Sequence, residues 1–76
     1  MRKLEEDLYI YKGVIVKKTS SGNYVARFYV NSVRGMCKVT GATQSSFMKI
    51  FNKFVKDNKG LDMEPTISYQ RRNFNY

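Results

Sequence analysis

The sequence predicts an α+β domain in which a three-stranded antiparallel meander packs on one C-terminal amphipathic helix. Three features carry that prediction. Stretches rich in Tyr, Ile and Val lie between Tyr9 and Thr40 and are parted by turn-forming residues. The hydrophobic period then changes from two to that of a helix at Phe47. Beyond Gly60 no comparable helical pattern follows.

Arg2 to Leu8 reads as a short N-terminal helix, with Leu4 and Leu8 four residues apart on one face. Tyr9 to Lys18 reads as the first strand, with Gly13 as a bulge. Thr19-Ser20-Ser21-Gly22-Asn23 supplies turn chemistry, because Gly22 and Asn23 tolerate positive φ. Tyr24 to Val30 is the clearest strand, Asn31 to Gly35 is the next turn, and Met36 to Thr40 is the third strand. Short connections make neighbouring strands antiparallel.

Phe47, Ile50, Phe51, Phe54 and Val55 share helical spacing, with Met48 at the edge. The helix is expected from Gln44 to Lys59, with Thr43 or Ser45 as N-cap and Gly60 at the C-cap. Lys56 and Lys59 suit its negative end. Pro65 stops any continuing helix. Thr66 to Tyr69 is a candidate further strand, and Gln70 to Tyr76 reads as a mobile tail. One domain over residues 1–60, followed by an extended or partly disordered tail over 61–76, is the expected organisation.

Period two assigns the strand faces. Val14, Val16, Tyr24, Ala26, Phe28, Val30, Cys37 and Val39 form one apolar set, which the helix must cover. Burying Phe28 or Phe54 is expected to contribute roughly 1.5–3 kcal/mol each. The opposite face carries Lys17, Arg27, Tyr29, Lys38 and Thr40, and no second helix is predicted over it. Lys49, Lys53 and Lys56 fall opposite the helical apolar stripe, the place of an ordinary solvated helix face.

Charge sharpens this picture. The 76-residue chain carries a formal net charge of +8. Between Asp7 and Asp57 it contains no acidic residue, while nine Lys and Arg lie in that stretch. One sign of charge over one compact unit attracts polyanions. Phosphate backbones come first among the partners this implies, then an acidic protein or anionic lipid.

Much chemistry is excluded or disfavoured. There is no histidine, hence no imidazole base, relay or ligand. The single cysteine, Cys37, rules out an internal disulfide and a multi-cysteine zinc site, and its place on the apolar face makes it a small buried hydrophobe. No phosphate-cradling glycine loop appears. The expectation is a non-enzyme without cofactor or metal. The charged N-terminus lacks the apolar run of a signal peptide, and no segment reaches membrane-spanning length, so a cytoplasmic protein with no membrane contact is expected.

Two resemblances join this reading. Ser21 to Phe28, a turn, a third strand and then Gly41-Ala42-Thr43 opening a helix resembles the arm-type DNA-binding domain of tyrosine recombinases. That resemblance implies a three-stranded sheet backed by a helix, with the sheet face in the DNA major groove and Lys17, Arg27, Tyr29 and Lys38 facing the duplex. Tyr24-Val25-Ala26 and Gly41-Ala42-Thr43 are also similar to HicB-type antitoxin domains, from which this chain departs in its basic core and in lacking an acidic, alanine-rich helix.

The leading functional expectation is binding of duplex DNA by the open sheet face. Lys17, Lys18, Arg34 and Lys38 would neutralise phosphates, Arg27 would read a guanine edge, Tyr29 would stack or touch sugar, and Arg71 and Arg72 would add a flexible arm. Single-stranded nucleic acid, stacked on Tyr9, Tyr11 and Tyr29, is a variant of that reading. The alternative is a small phage- or plasmid-type interaction module that inhibits or modulates an acidic host protein. A start at Met1 and the lack of an attached catalytic domain favour it, and Ile15, Val25 and Met36 beside the charges suit such an interface or a homodimer.

Overall fold

The computed structural model describes residues 1–62. It is α+β, with an antiparallel sheet and one C-terminal helix, but the sheet has five strands rather than three. These are β1 (Arg2–Glu5), β2 (Leu8–Tyr11), β3 (Val14–Lys18), β4 (Tyr24–Phe28) and β5 (Cys37–Gly41), in that spatial order. Helix α1 (Gln44–Asp57) follows.

Both extra strands arise from turns. The expected first strand is two, because Tyr11 pairs with Val14 across a two-residue loop in which Lys12 and Gly13 take φ of 51° and 82°. Positive φ at both central residues is the requirement of a type I′ hairpin turn, whose twist matches its strands. Gly13 is thus a turn residue and not a bulge. The expected N-terminal helix is instead β1, joined to β2 through Glu6 and Asp7, with Asp7 at φ 60°. Aspartate tolerates that region better than most residues. A helix of seven residues gains too few internal hydrogen bonds to persist, whereas β1 gains ladder bonds from β2. A register shift between Lys3 and Glu5 kinks this edge strand, which discourages edge-to-edge pairing.

Thr19 to Asn23 form the expected turn. Gly22 sits at φ 89°, and the Thr19 N–H donates to the Asn23 carbonyl at 2.8 Å. Strand β4 ends at Phe28, two residues before expected, because Val30 pairs instead with Leu61 in an isolated antiparallel bridge. Leu61, expected in the tail, thus joins the folded domain. The third expected strand is shifted by one residue, from Met36–Thr40 to Cys37–Gly41. The candidate strand Thr66–Tyr69 and the tail residues Gln70–Tyr76 lie outside the described residues.

Thr43 caps α1, its Oγ1 accepting from the Ser46 N–H at 3.0 Å. The helix ends at Asp57 rather than Lys59, with Asn58 as C-cap. The Gly60 N–H donates to the Val55 carbonyl at 2.8 Å and the Lys59 N–H to the Lys56 carbonyl at 3.3 Å. These are the two bonds of a Schellman motif, which puts the expected cap glycine two places beyond the C-cap and leaves Lys59 at the left-handed position, φ 63°.

The core holds the predicted strand residues except Cys37. Val14, Val16, Tyr24, Ala26, Phe28, Val30 and Val39 are buried with Phe47 and Phe51 of the helix. Cys37 is half-buried against this cluster. Phe28 lies 4.8 Å from Phe51 and 5.9 Å from Phe54, ring centre to ring centre. Tyr9 and Tyr11 extend the core beneath the helix, Tyr11 meeting Phe51 edge-on at 5.3 Å. Ile50, counted in the apolar stripe from its spacing, is 47% exposed. At 100° per residue it lies about 60–90° from the mean direction of Phe47, Phe51 and Phe54, at the margin of the buried arc.

Candidate nucleic-acid interface

Alternation along β3, β4 and β5 brings Lys17, Arg27 and Lys38 to the sheet face away from α1. Arg27 pairs directly with Lys38, and Lys17 pairs with Val25, two residues before Arg27 on the same face. Directly opposed residues hold their Cβ atoms about 4.5–5.5 Å apart, where like charges oppose folding. Lys38 and Thr40 are exposed, while Lys17, Val25 and Arg27 are half-buried.

A shallow depression of about 540 Å³ is lined by Asp7, Lys17 to Ser20, Val25, Arg27 and Lys38. Asp7 arrives there because its carbonyl accepts the Lys18 N–H at 2.9 Å. One carboxylate therefore stands beside the basic group, which the position of Asp7 at the start of the acid-free stretch did not suggest.

This face is not uniformly open. Leu8 and Ile15, which share it, are only 9% and 7% exposed. Ile15 is thus no part of an exposed apolar interface, although Met36 is 38% exposed. The face signal for Leu8 was hidden in the sequence by its assignment to a helix.

Other candidate residues lie elsewhere. Lys18 pairs with Tyr24 on the opposite face, with its Nζ 5.8 Å from the Tyr24 ring centre. Arg34 is exposed in the loop between β4 and β5 and shares a second depression, of about 570 Å³, with Tyr29 and Asp62. That loop is fixed to the helix end. Asn31 Nδ2 donates to the Lys59 carbonyl at 2.8 Å, and Ser32 Oγ to Asn58 Oδ1 at 2.9 Å. Arg71 and Arg72 lie outside the described residues.

Among the described residues no group of three or more His, Cys, Asp or Glu could hold a metal ion, and no helix is long and apolar enough to cross a membrane. The sheet is two strands wider than the three-stranded domain implied by the resemblance to recombinase arm domains. No protein-family model, curated protein or solved structure matches this chain.

Proposed function

We propose that this chain is a small nucleic-acid-binding protein that presents the β3–β5 part of its sheet to duplex DNA. The observation that carries this reading is the direct cross-strand pairing of Arg27 with Lys38, with Lys17 diagonal to them. Three cations gathered on one sheet face raise a local positive potential that attracts a polyanion. A phosphate chain laid across the face would meet these cations and release condensed counterions.

The dimensions suit the proposal. β5 is the last strand of the described sheet, so β4 and β5 form a two-stranded ribbon at its margin. The major groove admits such a ribbon. Arg27 would address a guanine edge from the ribbon, while Lys17 on β3 and Lys38 on β5 would grip phosphates on either side. Lys18, Arg34, Arg71 and Arg72 would add phosphate contacts.

Fluorescence anisotropy of labelled duplex and single-stranded DNA, at low and physiological salt, tests this. The expected result is preference for duplex, an affinity that falls steeply with log salt, and loss of binding in the double variant Arg27→Gln, Lys38→Gln. Absence of binding at low salt would overturn it.

A second reading rests on Val33 and Met36, 40% and 38% exposed on either side of Arg34. Apolar side chains flanking a cation suit an acidic protein surface. In that case Met36→Asp weakens partner capture more than Arg27→Gln does, and salt matters less.

A further inference from the structure

The helix lysines form a second basic surface, on the far side of the molecule from the sheet face described above. At 100° per residue Lys49, Lys53 and Lys56 fall within an arc of about 60°, roughly opposite the mean direction of Phe47, Phe51 and Phe54. Those phenylalanines pack on the sheet, so the lysine ridge points directly away from it. All three lysines are exposed. The only acid on α1 is Asp57 in its final position.

Lys12 joins this ridge from a different part of the chain. It sits at the tip of the β2–β3 hairpin, and its Nζ donates to Asn52 Oδ1 at 2.8 Å. The Tyr11 hydroxyl donates to the same oxygen at 3.1 Å. Asn52 neighbours Lys49 and Lys56, three and four residues away, on the helix surface. Lys12 also holds a left-handed backbone, φ 51°, at a turn position where Asn or Gly is at ease.

Solubility alone favours interleaved signs, whereas this ridge is of one sign, and like charges spaced four apart weaken a helix. From Lys49 to Lys56 the ridge runs about 10 Å along the axis, a length over which a duplex presents roughly six phosphates. It offers no planar guanidinium to read base edges, so it suits backbone contact.

We infer that the Lys12, Lys49, Lys53, Lys56 ridge binds the phosphate backbone of a second duplex segment, so that one monomer bridges two DNA segments, one on each side. This inference rests on the sheet-face reading under Proposed function.

The test uses the full chain and two duplexes, one biotinylated and held on beads, the other fluorescent and free. Wild-type protein added to the beads is expected to capture the free duplex. The variant Lys49→Gln, Lys53→Gln, Lys56→Gln keeps helix propensity, and circular dichroism checks that it stays folded. It is expected to lose capture by at least about tenfold, while its affinity for a single duplex in anisotropy falls less than about threefold, because the removed contacts belong to the second segment. Sedimentation velocity of the wild type should show a monomer under the same conditions. Undiminished capture by the variant, or capture that requires a protein dimer, overturns the bridging proposal. Binding of one duplex without capture of a second also overturns it, but leaves the sheet-face reading standing. Failure to bind even one duplex overturns both.

Discussion

The two faces of the sheet use the same strands for opposite ends. Under α1 stand Val14, Val16, Ala26 and Phe28, none with any exposed surface. One residue along each strand, on the other face, stand Ile15, Lys17, Val25 and Arg27, buried and half-buried side chains alternating with charge. The covered face is closed by ring-to-ring packing and tolerates no change of volume. The other alternates apolar residues with long cationic side chains, whose aliphatic stems suit apolar neighbours while the charged ends suit water. Stability is concentrated on the first face and charge on the second, so substitutions on the two should separate folding from binding.

The largest effect is expected at Phe28. Removing its ring in Phe28→Ala deletes contacts with Phe51 and Phe54 and leaves a cavity between sheet and helix. Such truncations cost about 3–5 kcal/mol, comparable with the whole stability of a domain this small. Urea denaturation followed by circular dichroism should find the variant largely unfolded without denaturant. A midpoint near that of the wild type would mean that α1 does not seal this face.

Gly41→Ala ranks next. A Cβ on Gly41 would stand 2.5 Å from the Cα and N of Phe47, backbone atoms that cannot turn aside. The helix would have to lift from β5, at a cost of about 1–3 kcal/mol for overpacking. A thermal melt should fall accordingly, without loss of the sheet signal at low temperature.

How far the sequence foretold these faces differs by region. Over β4 the alternation of Tyr24, Ala26 and Phe28 with Val25 and Arg27 is unambiguous, because only one register buries the apolar set. The pairing of Lys17, Arg27 and Lys38 on one face was legible for the same reason. The N-terminal hairpin was not. All four residues of β1 are exposed, so no apolar face marks it, and its ladder bonds come from a partner strand that the sequence does not name. Lys12 conceals a type I′ turn that Asn at the same place would have announced. The close approach at Gly41 left no trace either, since a glycine after a strand reads as a turn. Lys18 stands on the face opposite Lys17. Its neighbour Lys17 shares its charge, but adjacent strand residues point to opposite faces.

A smaller effect, of opposite sign, is expected at the helix end. Lys59 occupies a left-handed position at φ 63° that glycine adopts without strain. Lys59→Gly should relieve that strain, offset in part by the greater freedom of glycine in the unfolded chain, for a net gain of about 0.5–1 kcal/mol. Denaturant midpoints measure it. Loss of stability instead would show that the Lys59 side chain holds more than its backbone costs.

The smallest change in stability is also the most discriminating, because it sets the two faces' purposes against each other at one residue. In Lys38→Glu the pair opposed to Arg27 changes from like to unlike charge, which should stabilise the sheet by about 0.2–1 kcal/mol. The same substitution puts a carboxylate where the proposed interface needs a cation, so duplex affinity should fall and its salt dependence flatten. Urea midpoints and anisotropy on the same preparation report both quantities. A variant that is more stable and binds less would identify Arg27 and Lys38 as charges held together at the expense of folding for the sake of a polyanion. A variant that loses stability would mean that Lys38 already serves the fold, and the like-charge pairing would no longer argue for binding. A variant that gains stability and binds DNA as well as the wild type would move the interface off this face, toward the lysine ridge of α1.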